Sequence, residues 1–317
     1  MSETILIIGS EGQVGTDLQY RLREIYGKNN VISSDIRPAD PAKLDRGPYE
    51  QLDVLDHSRI AELFSKHKPT VIYHLAAMLS ATAEQHPKKG WELNMDGTFS
   101  IFDACLEHGV KRIFWPSSIA VFGPTTPRVN TPQHCVMDPG TIYGISKLAG
   151  ERYCEYYFKR YGLDVRSVRY PGLIGWKALP GGGTTDYAVD IFHQALKTKA
   201  YTSFLKADAM LPMMYMDDAI KATINITEAP AEQVKLRSSY NIAGCSFDPQ
   251  TIASAIAKRI DGFTIDYAPD HRQKIAESWP QSIDDTVARE DWGWNPDFDL
   301  DKMVDEMLMR LSATASQ

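Results

Sequence analysis

Short apolar runs alternate with amphipathic stretches through the first half of this 317-residue chain. No other feature constrains the fold so much, because strands alternating with helices build a parallel sheet covered on both faces. Thr4–Ile8 predicts the first strand, and the stretch from Thr16 to about Tyr26 predicts the first helix, with Leu18 and Leu22 at helical spacing. Further strands are predicted at Val31–Ser34, Val71–Leu75, Arg112–Ser117 and Val165–Tyr170, and helices at about 57–66, 91–108 and 144–161. Past Gly172 the rhythm breaks. Pro180-Gly181-Gly182-Gly183 predicts a loop, Asp186–Lys197 a helix, and Met213–Met216 and Tyr240–Ile242 late strands. The tail over 245–311 reads as mainly helical, with one strand at Thr264–Tyr267.

Composition narrows the possible partners. Hydrophobic residues make up 43% and charged residues 24%, a soluble globular balance, and the net charge of −7 argues against nucleic acid or an anionic membrane. The longest apolar runs are strand-sized and too short to span a bilayer. The first strand starts within a few residues of Met1, so no signal or transit peptide is expected. Cys105, Cys135, Cys154 and Cys245 are scattered without CxxC spacing, which fits a reducing cytoplasm. The eight histidines form no HxxxH or Cys/His cluster, so no metal site is expected.

The first strand runs into Gly9, Gly12 and Gly15, a GxxGxxG spacing that departs from GxGxxG. Three glycines alone could be mere turn glycines. Their context says more: they follow a strand, they open a helix, and Asp35 ends the next strand 20 residues after Gly15. In that layout the turn through Gly12, Gln13, Val14 and Gly15 presents backbone N–H groups to a pyrophosphate. The acid accepts from the adenosine ribose. A 2′-phosphate beside it would face a like charge, worth roughly 4 kcal/mol at about 4 Å and an effective dielectric near 20, so NAD is favoured over NADP. Arg37 weakens this preference, because it could receive such a phosphate. Asp35 as a simple strand-end turn residue is the plainer alternative. The expected fold is therefore α/β, a doubly wound parallel Rossmann sheet with a smaller, mainly helical C-terminal substrate domain. Residues 1–173 plus 211–244 would bind the dinucleotide, and 174–210 plus 245–317 would form the substrate domain.

Tyr143 and Lys147 are four apart, on one face of a predicted helix. An ammonium beside a phenol favours phenolate, a base able to take a proton from an alcohol. A bare YxxxK arises by chance, and an exposed helix pair is the plain alternative. The surroundings are more specific: Phe114-Trp-Pro-Ser117-Ser118-Ile-Ala-Val-Phe-Gly123 lies upstream, and His74-Leu75-Ala76-Ala77 and Asn94 lie earlier still. With the glycine turn, these segments resemble the extended short-chain dehydrogenases/reductases of the NAD-dependent epimerase/dehydratase group over almost the whole chain. Pro180-Gly-Gly-Gly-Thr184-Thr185-Asp186-Tyr187-Ala188, Met213-Met-Tyr-Met216-Asp217-Asp218-Ala219, Ser278-Trp279-Pro280 and Arg289-Glu-Asp-Trp-Gly-Trp294 narrow the likeness to the short-chain-type L-threonine 3-dehydrogenases.

That resemblance implies NAD-dependent oxidation of L-threonine at C3 to 2-amino-3-oxobutyrate, as in threonine catabolism. Tyr143 would be the general base. Lys147 would lower its pKa and bind the nicotinamide ribose, and Ser118, chosen over Ser117 for its spacing to Gly123, would orient the reacting oxygen. Asp53 and Val54 would contact adenine. Leu75, Ala76 and Ala77 would line the dinucleotide, and Tyr170, Pro171 and Leu173 would frame the nicotinamide or form an ordinary turn. Asn94 would brace the Lys147 region, or cap a helix. On the substrate side, Thr184 and Thr185 would hold the carboxylate or act as N-caps, Ser80 would face the amino acid, and Trp279 would close the pocket or sit in the core. Gly181–Gly183 would be a closing hinge or only a flexible loop. Asp217 and Asp218 are expected to cap a helix. A homodimer through helices 91–108 and 144–161 is implied, as is possible coupling to a ligase that uses the product. The alternatives are a nucleotide-sugar 4-epimerase/dehydratase of the same group and a noncatalytic NAD-sensing regulator, which would be expected to lack the Tyr or the Lys.

Overall fold

The structure, a computed structural model, describes residues 3–39, 47–179, 181 and 183–315. Its centre is a parallel six-stranded sheet. The first five strands in sequence are β1 (Ile5–Ile8), β2 (Val31–Asp35), β3 (Tyr49–Gln51), β4 (Val71–His74) and β5 (Arg112–Phe114). Across the sheet they run β3-β2-β1-β4-β5, with Asp164–Arg166 at the far edge. Ile5 pairs with Val31 on one side and with Val71 on the other. The strand order therefore reverses between β1 and β4, and their carboxyl ends open a crevice where doubly wound sheets bind ligands.

Alternate residues of each strand fill opposite layers. Leu6, Ile8, Ile32, Ile72 and Ile113 pack with Phe64, Ile101 and Phe102. Ile5, Ile7, Val31, Val71 and Phe114 pack with Leu18, Leu22 and Ile226 on the other face. Burial on both faces explains why these strands read as continuous apolar runs. A third core joins the C-terminal helices through Phe192, Phe247, Ile252, Met303 and Trp279.

Two predicted strands are each split. Pro116 has no N–H to donate, and β5 ends at Phe114. Ser117–Ser118 then pairs with Val168–Tyr170 in a separate three-stranded sheet that also holds Tyr240–Asn241. The expected strand Val165–Tyr170 likewise divides between the two sheets at Ser167. This switch places Ser117, Ser118 and Tyr170 in the wall of the crevice. The expected helix over 91–108 begins at Pro87 and contains a wide turn at Glu92–Asp96 before Gly97–Glu107. The helix Ile142–Tyr161 starts two residues before its predicted position, capped by the Thr141 hydroxyl. Asp217 and Asp218 occupy the first turn of helix Met216–Glu228. Asp218 does not cap that helix but accepts from the backbone N–H groups of Asp297 and Phe298. Among the described residues no helix is long and apolar enough to cross a membrane, and no cluster of His, Cys, Asp and Glu gathers as a metal site would require.

Candidate active site

The turn after β1 shows what each glycine does. Gly9 has φ +88°, and a Cβ there would lie 2.7 Å from the Ala76 nitrogen. A Cβ on Gly15 would lie 2.3 Å from the Gly9 oxygen, so this glycine lets α1 (Gln13–Tyr26) press against the turn. Gly12 differs: a Cβ there would meet only the Gly9 oxygen, at 3.3 Å, and otherwise open space. Gly12 caps α1 without a side-chain hydrogen bond, leaving the first N–H groups of the helix without a side-chain acceptor. Gln13 Nε2 and Ser10 Oγ are buried without a partner. An open cradle, a helix N-terminus and orphaned donors are what a bound pyrophosphate would satisfy.

Two clefts meet at this turn. One, of about 280 Å³, is lined by Asp35, Arg37, Asp53, Val54 and Ala76. The other, of about 230 Å³, is lined by Gln13, Val14, Gly15, Ser80, Ser118, Tyr143 and Lys147, together with Tyr170, Pro171, Leu173, Thr184, Thr185 and Trp279. Gly9, Gly12, Leu75 and Ala77 belong to both. Asp35 ends β2 almost fully buried; its carboxylate accepts from the Glu11 N–H at 3.0 Å and from the Arg37 guanidinium at 2.9 Å. Arg37 is thus engaged by the acid next to it. Asp53 closes a local turn by accepting from the Leu55 N–H.

Asn94 lines neither cleft and caps no helix. From the wide turn at Glu92–Asp96 its amide bonds both backbone groups of Met78 and donates to Ser146 Oγ at 3.3 Å. It therefore joins the loop after β4 to the helix that carries Lys147, by direct bonds and not by capping.

Ser118, Tyr143 and Lys147 all line the second cleft. Burial pushes the Tyr143 phenol up to about 12, against a hydrogen bond from Ser118 that pulls it down. Lys147 is 4% exposed. Its ammonium donates to the Pro116 carbonyl at 2.7 Å and lies over the Trp115 ring at 4.4 Å and 5.7 Å from the Tyr143 ring centre. Burial pushes it down to about 8, with Glu151 among the groups that oppose the drop. Desolvation dominates both groups, and the Pro116 carbonyl holds the ammonium. Ser117 does not share the role of Ser118, because its hydroxyl donates to Glu151 Oε1 at 2.6 Å. His74 is buried beside Thr98 and is held neutral, pushed down to about 3 by burial and by the charge of Lys147.

The remaining wall is apolar and hydroxylated. Thr184 is 1% exposed, and its Oγ1 has no partner. Thr184, Thr185 and Asp186 form a turn ahead of helix Tyr187–Thr198, and Asp186 accepts from the Gly183 N–H at 2.7 Å. Ser80 opens helix Ser80–Gln85. Trp279 combines both readings: it belongs to the C-terminal core and lines the cleft. The Tyr170 hydroxyl is bonded to Thr223 and not aimed at the cleft. Gly181 comes close to the exposed Leu79; Gly182 of the expected hinge, and Pro180 of the loop before it, lie outside the described residues. Sequence reasoning missed Pro116, Ile119, Leu79 and Asp186 as lining residues, and Trp115 and Glu151 behind them. The spacing of Glu151, four beyond Lys147, was the signal available for it.

A doubly wound sheet with a dinucleotide cradle at its switch point and a Ser/Tyr/Lys set beside it defines a nicotinamide-dependent enzyme. The chain belongs to the NAD dependent epimerase/dehydratase family, whose profile matches residues 5–243. NAD is its cofactor. It is 47% identical over 306 residues to an uncharacterized epimerase/dehydratase of Staphylococcus aureus, covering 96% of this chain and 95% of that one. Among solved structures it is similar to a GalE-like L-threonine dehydrogenase from Cupriavidus necator in its holo form, with 53% identity, a TM-score of 0.95 and coverage of 97% and 99%. It is also similar to the L-threonine dehydrogenase from Clostridium difficile, with 44% identity, a TM-score of 0.95 and coverage of 99% and 98%.

Proposed function

We propose that this enzyme oxidises L-threonine at C3 to 2-amino-3-oxobutyrate. The observation that carries the reading is the pair of clefts joined at Gly9 and Gly12, one lined by Asp35 and the other lined by both Tyr143 and Thr184, whose hydroxyl is buried without a partner. Likeness to two L-threonine dehydrogenases over nearly the whole chain supports it.

Gly9, Gly12, Gln13, Val14 and Gly15 would hold the pyrophosphate of NAD, with Asp35, Asp53 and Val54 at the adenosine and Tyr170, Pro171, Leu173 and Lys147 at the nicotinamide half. When bound, NAD supplies the acceptor for the hydride that leaves C3. Tyr143 takes the proton of the C3 hydroxyl, and Ser118 hydrogen-bonds the same oxygen and fixes its direction. A phenol near 12 is almost wholly protonated at neutral pH, so little phenolate is present to take a proton. A cation brought to about 4 Å would stabilise its ionised form by roughly 4 kcal/mol at an effective dielectric near 20, about three pKa units. Lys147 carries that charge, and its closer approach to the phenol oxygen is part of the proposal. Thr184 and Thr185 receive the substrate carboxylate, Ser80 faces the amino acid, and Trp279 walls off water.

Residues 1–173 plus 211–244 would act as the cofactor domain and 174–210 plus 245–317 as the substrate domain. Exposed Tyr153, Tyr156 and Ile145 on helix Ile142–Tyr161 suit a homodimer, which sedimentation would reveal. The setting would be cytoplasmic threonine breakdown, with a ligase consuming the product. The test is NADH formation with L-threonine beside L-serine, L-allo-threonine and 3-hydroxybutyrate, and thermal protection by a UDP-sugar. L-Threonine should be the best substrate. No reduction of NAD with it, while NAD binds, would reject the proposal.

A further inference from the structure

Three elements carry the reacting side of the cleft: helix Ile142–Tyr161, strand Ser117–Ser118 and strand Val168–Tyr170. One carboxylate ties them together. Glu151 is fully buried, one helical turn beyond Lys147. Its Oε1 accepts from Ser117 Oγ at 2.6 Å and from Arg169 Nε at 2.8 Å, and its Oε2 accepts from Arg169 Nη2 at 2.8 Å. Arg169 is itself buried and reaches on to Asn241 Oδ1 at 2.9 Å and the Gln133 carbonyl at 3.2 Å. Ser117 directly precedes Ser118, and Arg169 directly precedes Tyr170, so each anchor lies next to a residue of the cleft wall.

Apolar side chains of the same volume could hold such a core at least as firmly, because burying two charges costs several kcal/mol per ion before their attraction returns it. The charge must therefore serve more than packing. We propose that Glu151 is a positioning residue for the reaction: it fixes Ser118 through Ser117 and Tyr170 through Arg169, and it sets a carboxylate one helical turn from the Lys147 ammonium. The titratable and charged groups acting on Lys147 are Tyr143, Glu151 and Cys154 on its own helix and His74 from β4, with Arg169 behind Glu151. Of these, Glu151 is the carboxylate, ion-paired with Arg169. Without it, burial and the released Arg169 charge both push Lys147 toward the neutral amine.

The inference rests on the threonine reading for its turnover measurement alone. The experiment compares wild type, Glu151→Gln and Ser117→Ala by kcat and KM with L-threonine, NADH affinity by fluorescence titration, and melting temperature, each across pH. Glu151→Gln should lower kcat about 10- to 100-fold with KM within about threefold, as misplacement of reacting groups does. It should also move the alkaline pH at which kcat and NADH affinity fall down by about one unit, the effect of removing one close charge partner. Ser117→Ala keeps the carboxylate; it should lower kcat without moving that pH. A purely structural role would lower both activities in proportion at every pH, and an unmoved alkaline limb in folded Glu151→Gln overturns the proposal. If Glu151→Gln does not fold, Ser117→Ala decides: reduced kcat at unchanged melting temperature supports the role, and unchanged kcat overturns it. Should wild type bind NADH yet fail to oxidise L-threonine, the substrate reading fails, and the NADH titration still reports on Glu151.

Discussion

Two glycines of one turn, Gly12 and Gly15, separate cofactor binding from stability. Alanine at Gly15 would put its Cβ 2.3 Å from the Gly9 oxygen and 2.7 Å from Ser10 Cα, both backbone atoms that cannot rotate away. Helix α1 must shift, and overpacking of this kind costs about 1–3 kcal/mol or more. In a chain of this length each kcal/mol moves the melting temperature by about 2 °C, so Gly15→Ala should melt roughly 2–6 °C lower. Gly12 has φ −74° and ψ 175°, extended backbone that any residue adopts, and its nearest contact would be at 3.3 Å. The loss of an adaptable N-cap is offset by about 0.4–1 kcal/mol from a less flexible unfolded chain, so Gly12→Ala should melt within about 2 °C of wild type. Its methyl group would stand where the pyrophosphate meets the N–H groups of α1. Losing one such charge-assisted hydrogen bond is worth about 1.5–3 kcal/mol, or roughly 10- to 150-fold in NAD affinity. Calorimetric titration with NAD and thermal melts of the free proteins measure both. Gly12→Ala binding NAD within about threefold of wild type, or Gly15→Ala melting like wild type, would refute the reasoning.

Lys147→Met should abolish turnover yet raise the melting temperature of the cofactor-free protein at pH 7, because the buried ammonium is disfavoured by desolvation. Its folded pKa of about 8 lies below the unfolded value of about 10.4, so the penalty is fully present below pH 8 and fades between about pH 8 and 10.5. The gain, up to about 3 kcal/mol, should shrink over that window; a gain independent of pH would contradict the cause. Thr184→Val removes a buried hydroxyl that has no partner, so stability should hold or rise while KM for L-threonine increases about tenfold. Lower stability with unchanged KM would place Thr184 in the core alone.

The sheet was legible where physics repeats itself. Ile5–Ile8 and Val71–His74 are buried on both faces and read as unbroken apolar runs. Thr264–Tyr267 was anticipated to the residue. Tyr49–Gln51 was not, because a three-residue, half-exposed edge strand has neither the run nor the alternation. Its partners Ser33–Asp35 define it, and that pairing is tertiary. Cys245–Phe247 escaped for the same reason, and Ala200–Ser203 because its alternating buried positions are Tyr201 and Ser203, too little apolar contrast to show in the sequence. At the site, spacing pointed to Tyr143 and Lys147 and the family resemblance to Ser118, and all three line the cleft. Spacing could not show that the Lys147 ammonium turns to the Pro116 carbonyl, or that Glu151 reaches Arg169 from a strand 18 residues on. Those contacts depend on Pro116 ending β5 and on the chain changing sheets at Ser167.

Tyr143→Phe keeps the ring and removes only the hydroxyl proposed to take the substrate proton. Turnover of L-threonine by this variant, measured as NADH absorbance beside its NAD affinity, should fall about 10²- to 10⁴-fold with affinity within about threefold. Turnover above a tenth of wild type would contradict proton abstraction by Tyr143.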